Sequence, residues 1–343
     1  MDTFNLMHLK PIFMKLKFLS FIVLLTFQLS NAQYTDIVNS NRPSESMSAF
    51  AVGRTVIQLE GGLGYINEKD NTFAVDTLDY KANGVVGDLN VRYGFFKEQL
   101  EVLLELSYQN DSQVFSNRER SRNGLKASTI GLKYLVYDPY KFYEETVNLY
   151  SWKANQKFKM SQLIPIVAVY GGMNLNFSNN KFLIGAEELA IVSPKLMLIT
   201  QNIFGEQIVF ITNTFLDKMA TEGQQLGYLL TVTKGFNERW SAFAEFKGLS
   251  NKFYKDNFIS AGGAYLLHGN LQIDASISKS LKDSPSIMYG GIGVTWRSDT
   301  NYKDHLIKSP EKSKADKAKK DKKKKNNEKK MLDKLPKSNE KEE

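Results

Sequence analysis

The chain has 343 residues, contains no cysteine and carries a formal net charge of +8 at pH 7. The absence of cysteine excludes a disulfide framework and a lipoprotein anchor. Residues 1–32 carry +2 and residues 299–343 carry +6, so residues 33–298 are neutral. A neutral body gives no indication of nucleic-acid binding.

The N-terminus has the pattern of a signal peptide. Three lysines precede the apolar run FLSFIVLLTF at 18–27, and LSNA follows before Gln33. The run is too short for a membrane-spanning helix, which needs about 20 apolar residues. A buried core helix is the alternative, but no amphipathic sequence follows the run. We therefore predict a signal peptide over residues 1–32 and an exported mature chain.

Residues 55–298 contain twelve stretches with the length and composition of β-strands. In the clearest, LQIDASISK at 271–279, apolar and polar residues alternate without a fault. Such alternation is typical of a strand with two different environments. Strands this long are unusual in soluble sandwiches and match a tilted membrane crossing. The stretches are 55–67, 85–95, 99–109, 125–137, 162–177, 191–204, 207–216, 225–236, 240–250, 257–268, 271–281 and 286–297.

The links between these stretches alternate in length. Links after odd-numbered strands are longer and polar, as at 67–83 and 110–123, whereas those after strands 2, 6, 8 and 10 have two or three residues. Outer-membrane barrels show this pattern, with the tight turns in the periplasm. The long link 138–161 is the exception, and we expect it to form a small folded excursion or plug. Aromatic residues beside the tight turns resemble a membrane-boundary girdle: Phe95, Phe96, Tyr134, Tyr137, Phe204, Phe236, Trp240 and Trp296.

These patterns predict an all-β fold, a transmembrane antiparallel β-barrel of about 12 strands over residues 55–298. Residues 299–343 are rich in lysine and nearly free of apolar residues, so we predict a disordered basic tail. An even strand number places both chain ends in the periplasm, where the tail is available to a protein partner. Nucleic acid is not an expected partner of an exported chain.

Two segments carry a family resemblance: SNRPSESMSAFAVGRTVIQLEGGLGY at 40–65 and NLYSWKANQKFKMSQLIPIVAVYGGMNL at 148–175. They resemble a Bacteroidetes-type outer-membrane β-barrel family that is described as transporter-like and often labelled with the meta-pathway of phenol degradation. The QLE at 58–60 fits the opening motif of this family, whereas Asn41 and Ala49 depart from it. The resemblance implies an outer-membrane barrel with a transport role. No aromatic-degrading chemistry follows from the label.

If the apolar rows of the strands face lipid, the opposite rows face the barrel interior. About twelve strands leave a narrow or partly plugged bore. Both signs of charge occur in the inner rows, so no single-charge selectivity is indicated. These side chains either line a water path or pair with one another. The candidates are Gln58, Glu60, Asp88, Asn90, Arg92, Glu101, Glu105, Lys133, Glu245, Lys247, Gln272 and Asp274.

Residues 33–54 show neither strand nor helix periodicity, and they lead directly into the first strand. Two interpretations are open: a free periplasmic tether, or a plug over 39–54 that tucks into the barrel and constricts the pore. For the plug, Arg42 is the expected anchor, because its guanidinium can bind a carboxylate bidentately. The candidate partners are Glu60, Asp88, Glu101 and Glu105.

No catalytic or metal-binding pattern is evident. The three histidines are His8 in the leader, His268 beside a tight turn and His305 in the tail, so we expect no Ser–His pair on the barrel wall. Without cysteine or a histidine cluster, no metal site is expected. The glycine-rich stretches lack the helix that follows a phosphate-binding loop. The sequence therefore predicts neither enzymatic activity nor a cofactor.

Two functions remain open. We favour a passive, porin-like channel or transporter in the outer membrane of a Gram-negative bacterium, surrounded by lipid and passing small solutes, apolar ones among them. The alternative is a structural or accessory barrel of an outer-membrane secretion or assembly complex, docked through its basic tail and the 138–161 link.

Overall fold

The computed structural model describes residues 38–70, 80–115, 118–140, 160–176, 191–205 and 207–298. The predicted signal peptide and the predicted basic tail lie outside these ranges. So does most of the long link after the fourth strand. Over the described ranges, no helix has the length and apolar character needed to cross a membrane.

Twelve strands form one closed antiparallel barrel. Each strand pairs with its neighbours in sequence, and β1 pairs with β12 to close the sheet. The predicted all-β class, strand number and closure are confirmed. The strands are β1 (Ile57–Asp70), β2 (Tyr80–Gly94), β3 (Leu100–Phe115), β4 (Arg118–Tyr137), β5 (Ile166–Leu175), β6 (Val192–Phe204), β7 (Ile208–Asp217), β8 (Gln225–Gly235), β9 (Trp240–Asn251), β10 (Lys255–His268), β11 (Leu271–Ser280) and β12 (Ser286–Arg297).

The two faces of the wall differ as the alternation predicts. In β11, Ile273 and Ile277 are 40% and 49% exposed on the outside, whereas Asp274 is buried on the inside. An apolar outer face that closes on itself is suited to lipid, because it leaves no unpaired strand edge in the hydrocarbon. We call the rim where β1 begins and β12 ends the terminal rim, and the opposite rim the loop rim.

The third and fourth strands are longer than the sequence predicts. The expected polar link 110–123 is mostly strand, because β3 and β4 continue in register past Asn110↔Asn123 and only residues 116–117 separate them. Beyond the lipid band both faces of a strand meet water, so the apolar alternation that reveals a membrane strand is lost there. The fifth strand is shorter than predicted. A 3-10 helix, Met160–Leu163, precedes it.

Candidate functional site

The chain before β1 lies inside the barrel. We call residues 38–56 the interior segment. Met47 is 5% exposed, Ala49 has no exposed surface and Val52 is 4% exposed, although the segment belongs to no strand. The barrel interior at this level is therefore filled by protein, and the backbone of the segment must find its hydrogen-bond partners on the wall.

Four charged side chains with no exposed surface form a network on the inner face of β1–β4. Arg92 lies 3.2 Å from a carboxylate oxygen of Glu60 and 3.0 Å from one of Glu101. Lys133 lies 2.6 Å from Glu101. Removing ions from water is costly unless they are paired. Two cations and two carboxylates offset one another here, so the network can remain in a dry interior.

This network also binds the backbone of the interior segment. Lys133 donates to the carbonyl oxygens of Ser48 and Phe50 at 2.7 and 2.9 Å. Glu101 accepts a hydrogen bond from the N–H of Val52 at 2.8 Å. Hydrogen bonds with a charged partner are about twice as strong as neutral ones. The C-terminal half of the segment is therefore firmly attached to the first four strands.

On the opposite wall, neutral and acidic side chains form hydrogen bonds with the backbone in the middle of the segment. Gln201 of β6 accepts from the N–H of Ala49 at 3.0 Å, and Asn213 of β7 donates to the carbonyl of Met47 at 3.1 Å. Glu245 of β9 accepts from a backbone N–H of the segment at 3.2 Å. Side chains of β1, β2, β3, β4, β6, β7, β9, β11 and β12 all contact the segment.

Arg42 forms an ion pair with a different carboxylate from those expected. Its guanidinium lies 3.3 Å from Asp274 of β11, and none of the four candidate partners forms its ion pair in the structure. The guanidinium rests against Gly62 of β1 and Gly293 of β12, where any Cβ would overlap it. Gly293 is paired with both Gly62 and Asp274 in the sheet. The two glycines leave a space over β1 and β12. The Arg42 side chain passes through this space and reaches Asp274 on β11.

The more exposed of the two ion pairs that the interior segment makes with described residues joins Glu45 to Lys247 of β9. The Lys247 side chain is 18% exposed and that of Glu45 is 56% exposed. Removal from bulk water acts to raise the pKa of Glu45, but the ammonium of Lys247, with Lys126 and Lys195 beyond it, brings that pKa below its ordinary value. Glu45 is therefore ionised at neutral pH, and the contact with Lys247 is an ion pair there.

The interior also has an apolar side. Met47 and Phe50 pack into a buried cluster on β3–β9 that includes Tyr170 and Phe215. The ring of Tyr170 lies over two wall glycines, and the ammonium of Lys195 lies 5.6 Å from its centre. Apolar burial of this kind contributes about 1.5–3 kcal/mol per large side chain. The segment is therefore held by packing as well as by polar contacts.

The structure directs all twelve predicted lining residues to the inner face, but only some of them contact the interior segment. Nine hydrogen-bond to the interior segment or pair with a residue that does: Gln58, Glu60, Arg92, Glu101, Lys133, Glu245, Lys247, Gln272 and Asp274. The other three make their contacts on the wall: Glu105 pairs with Lys195 at 3.1 Å, Asp88 accepts from Tyr289 at 3.3 Å, and Asn90 is half-buried.

Gln201, Asn213 and Lys195 are inner-face residues that the sequence did not indicate. They lie on β6 and β7, where apolar residues occupy both faces, so alternation gives little sign of the inner row. Among the residues that the structure describes, no group of three or more His, Asp or Glu side chains is arranged to hold a metal ion.

The closed antiparallel wall, its apolar outer face and its polar interior define a transmembrane β-barrel of the outer-membrane type. The chain belongs to the family described as "Putative MetA-pathway of phenol degradation", whose model matches residues 40–298. The resemblance seen in the sequence is thereby confirmed. No curated protein matches the sequence.

Three solved structures illustrate the similarity in fold. An outer membrane channel from Pseudomonas putida F1 is 9% identical over 76% of this chain and 100% of its own, with a TM-score of 0.48. The translocator domain of the autotransporter NalP from Neisseria meningitidis is 9% identical over 71% and 89%, with a TM-score of 0.42. The CymD monoaromatic hydrocarbon channel is 11% identical over 71% and 88%, with a TM-score of 0.39.

Proposed function

We propose that the protein is a passive outer-membrane channel for small molecules, and that the interior segment is the plug that closes it. The observation that carries the proposal is the way the segment is bound. Wall side chains on nine strands bind it, and the segment adds no strand to the sheet. Each of these contacts can be replaced by water, so displacement would leave a hydrated polar bore inside an unchanged wall.

The interior supports a solute that is small and has both apolar and polar groups. On one side of the interior, the segment covers the apolar side chains of Tyr170, Phe215 and Leu229, and its displacement would expose them. Towards the loop rim, Glu105 and Lys195 present a charged pair that is partly exposed. A solute with an apolar body and a polar group would find partners on both sides of this lining.

A disulfide lock tests whether the interior segment closes the channel. The hydroxyl oxygens of Ser40 and Thr295 lie 2.8 Å apart, and the chain has no other cysteine to interfere. Ser40→Cys with Thr295→Cys should therefore tie the N-terminal part of the segment to β12. In a planar bilayer, we expect the oxidised protein to show no channel currents and the reduced protein to recover those of the parent.

The matched control is Ser260→Cys with Ser278→Cys. These hydroxyls lie 2.9 Å apart and join β10 to β11 on the same inner face, without touching the interior segment. Oxidation of this control should leave the currents unchanged. Parental currents from the oxidised Ser40–Thr295 lock would show that the segment is not the gate. Absence of current from every form, including a deletion of residues 34–50, would show that the protein is not a channel.

Deletion of residues 299–343 separates the channel from an accessory subunit of a secretion or assembly complex. Nothing in the barrel wall requires this tail for permeation, so we expect unchanged conductance. Loss of co-purifying envelope proteins in mild detergent, together with absent conductance in the parent, would favour the accessory function.

A further inference from the structure

The lysines and the carboxylates of five neighbouring strands, β10, β11, β12, β1 and β2, lie on opposite faces of the wall. The lysines of these strands all point outwards near the loop rim: Lys69, Lys81, Lys255 and Lys279. Their carboxylates all point inwards: Glu60, Glu68, Asp70, Asp88, Asp256 and Asp274. At a strand spacing of about 4.8 Å, the cations span about 20 Å of the outer surface. We call these four lysines, with Lys282, the lysine belt.

The lysine belt lies immediately beyond the apolar band. On the outer face of β11, Lys279 is the next residue after Ile277 in the direction of the loop rim. On β10, Lys255 lies on the loop-rim side of Ile259, with one outward residue between them. Lysines at this depth reach the headgroup region with their ammonium groups while their stems cover apolar surface. Within the described part of the chain, Lys69, Lys255 and Lys279 form no ion pair.

An apolar groove of about 450 Å³ adjoins the belt on the outside of the wall. Leu226 and Tyr228 of β8 line it, 52% and 40% exposed, and Leu281 forms its other side at 55%. Gly248 forms its floor, because sheet pairing sets it between Tyr228 and Asn257 and it adds no side chain.

Two lysines stand at the end of this groove. Lys255 and Lys282 both line it, and the ammonium of Lys282 also lies 5.3 Å from the centre of the Tyr254 ring. The lining carboxylate, Asp256, is 6% exposed and is already engaged by the Tyr254 hydroxyl and by Ser280. Asp283, beside Lys282, is the nearest exposed carboxylate in sequence. The groove therefore offers an apolar channel with a cationic end at headgroup depth.

We propose that this groove binds an anionic phospholipid of the leaflet at the loop rim, one whose headgroup has no cation to neutralise its phosphate, with an acyl chain over Leu226, Tyr228 and Gly248. The phosphate lies against Lys255 and Lys282, and the rest of the lysine belt attracts further anionic headgroups. Charge complementarity selects this occupant, since the outer face of five strands carries cations and no carboxylate. The position of the groove in the lipid-facing wall, at headgroup depth, selects a lipid over a soluble anion.

Native mass spectrometry of the full chain in detergent tests the proposal. The probes are phosphatidylglycerol and phosphatidylcholine with the same acyl chains, and inorganic phosphate alone. Lys255→Gln with Lys282→Gln should weaken phosphatidylglycerol binding about 10- to 30-fold, from the contribution that each lysine makes at a membrane surface. Phosphatidylcholine binding should weaken much less, because the choline ammonium already neutralises its phosphate. Gly248→Leu fills the groove and should weaken both lipids.

The matched control is Lys234→Gln. Lys234 is an exposed outward lysine on β8 near the terminal rim, outside the groove, so its loss should leave both affinities unchanged. Heat-modifiable gel mobility verifies that each variant is folded. Equal losses of lipid affinity in the control and the double variant would show that only the net charge of the protein matters, and would overturn the site. Binding of inorganic phosphate as tight as that of phosphatidylglycerol, or unchanged lipid binding in Gly248→Leu, would overturn the lipid assignment.

Discussion

Arg92 shows how single residues hold the interior together. Its side chain has no exposed surface, and it meets Glu60, Glu101 and the carbonyl oxygen of Asn39. A buried pair contributes little compared with an apolar substitute, but loss of one member leaves an uncompensated charge. The stability of this region therefore depends on each member of the network being present.

Arg92→Met should lower the free energy of unfolding by about 3–5 kcal/mol. The substitution leaves the carboxylates of Glu60 and Glu101 buried and removes the guanidinium that both of them contact. Lys195→Met is the comparison, since the side chains of the Lys195–Glu105 pair are 16% and 21% exposed and water reaches part of each charge. We expect a smaller loss there than for Arg92→Met. Reversible unfolding in lipid vesicles measures both, and equal losses would contradict the buried network.

Glu45 provides a test by pH. Because its pKa lies below the ordinary value, the attraction to Lys247 is complete at neutral pH and is lost as pH falls through the lowered pKa. Lys126 and Lys195 also face this carboxylate, and Glu245 accepts a hydrogen bond from the backbone N–H of Glu45. We expect channel opening to increase in acid, and Glu45→Gln to show that increase already at pH 7. If Glu45→Gln opens like the parent at pH 7 and responds to acid like the parent, the Glu45–Lys247 pair does not control opening.

Alternation in the sequence indicates which face a side chain occupies, but not which residue it meets. Asp274 could be placed on the inner face from β11 alone. Its contact with Arg42 depends on the register that sets Gly293 between it and Gly62, and on the path of a segment without periodicity. Contacts of this kind arise between residues 232 positions apart, and no local pattern encodes them.

Within a strand, the side chains on the two faces differ in polarity because one face meets lipid and the other the polar interior. Ala275 and Ser276 are adjacent in the middle of β11, with Ala275 on the outer face and Ser276 on the inner. This contrast made β11 predictable from the sequence. The ends of β3 and β4 at the loop rim were not predicted as strand. Those ends extend beyond the lipid, where polar residues suit both faces.

Ala275→Arg and Ser276→Arg form a matched pair of adjacent substitutions. Near the bilayer midplane, a charge on the lipid face costs about 2–4 kcal/mol. An arginine at Ser276 points towards the polar interior and should cost much less. Reversible unfolding in vesicles compares them, and similar costs for the two variants would show that the face assignment of this strand is wrong.

For the whole molecule, closure of the barrel follows from a requirement that all the strands share. In lipid every backbone group must be paired, so twelve strands with apolar outer faces have to pair edge to edge, the first with the last. This requirement made the fold predictable from sequence. The occupied interior was only one of two interpretations, because residues 38–56 are satisfied by side chains on many strands and carry no periodic signal of their own.

The orientation of the barrel is open to direct measurement. Short turns at the terminal rim predict that this rim faces the periplasm and that the loop rim is extracellular. Single cysteines at Arg118 or Lys252, both exposed at the loop rim, should react with an impermeant thiol reagent on intact cells. Cysteines at Asn237 or Gly269, exposed at the terminal rim, should react only after the outer membrane is permeabilised. The chain has no cysteine of its own, so any labelling reports the introduced site. Labelling of the second pair alone on intact cells would reverse the orientation, and it would place the lysine belt in the periplasmic leaflet.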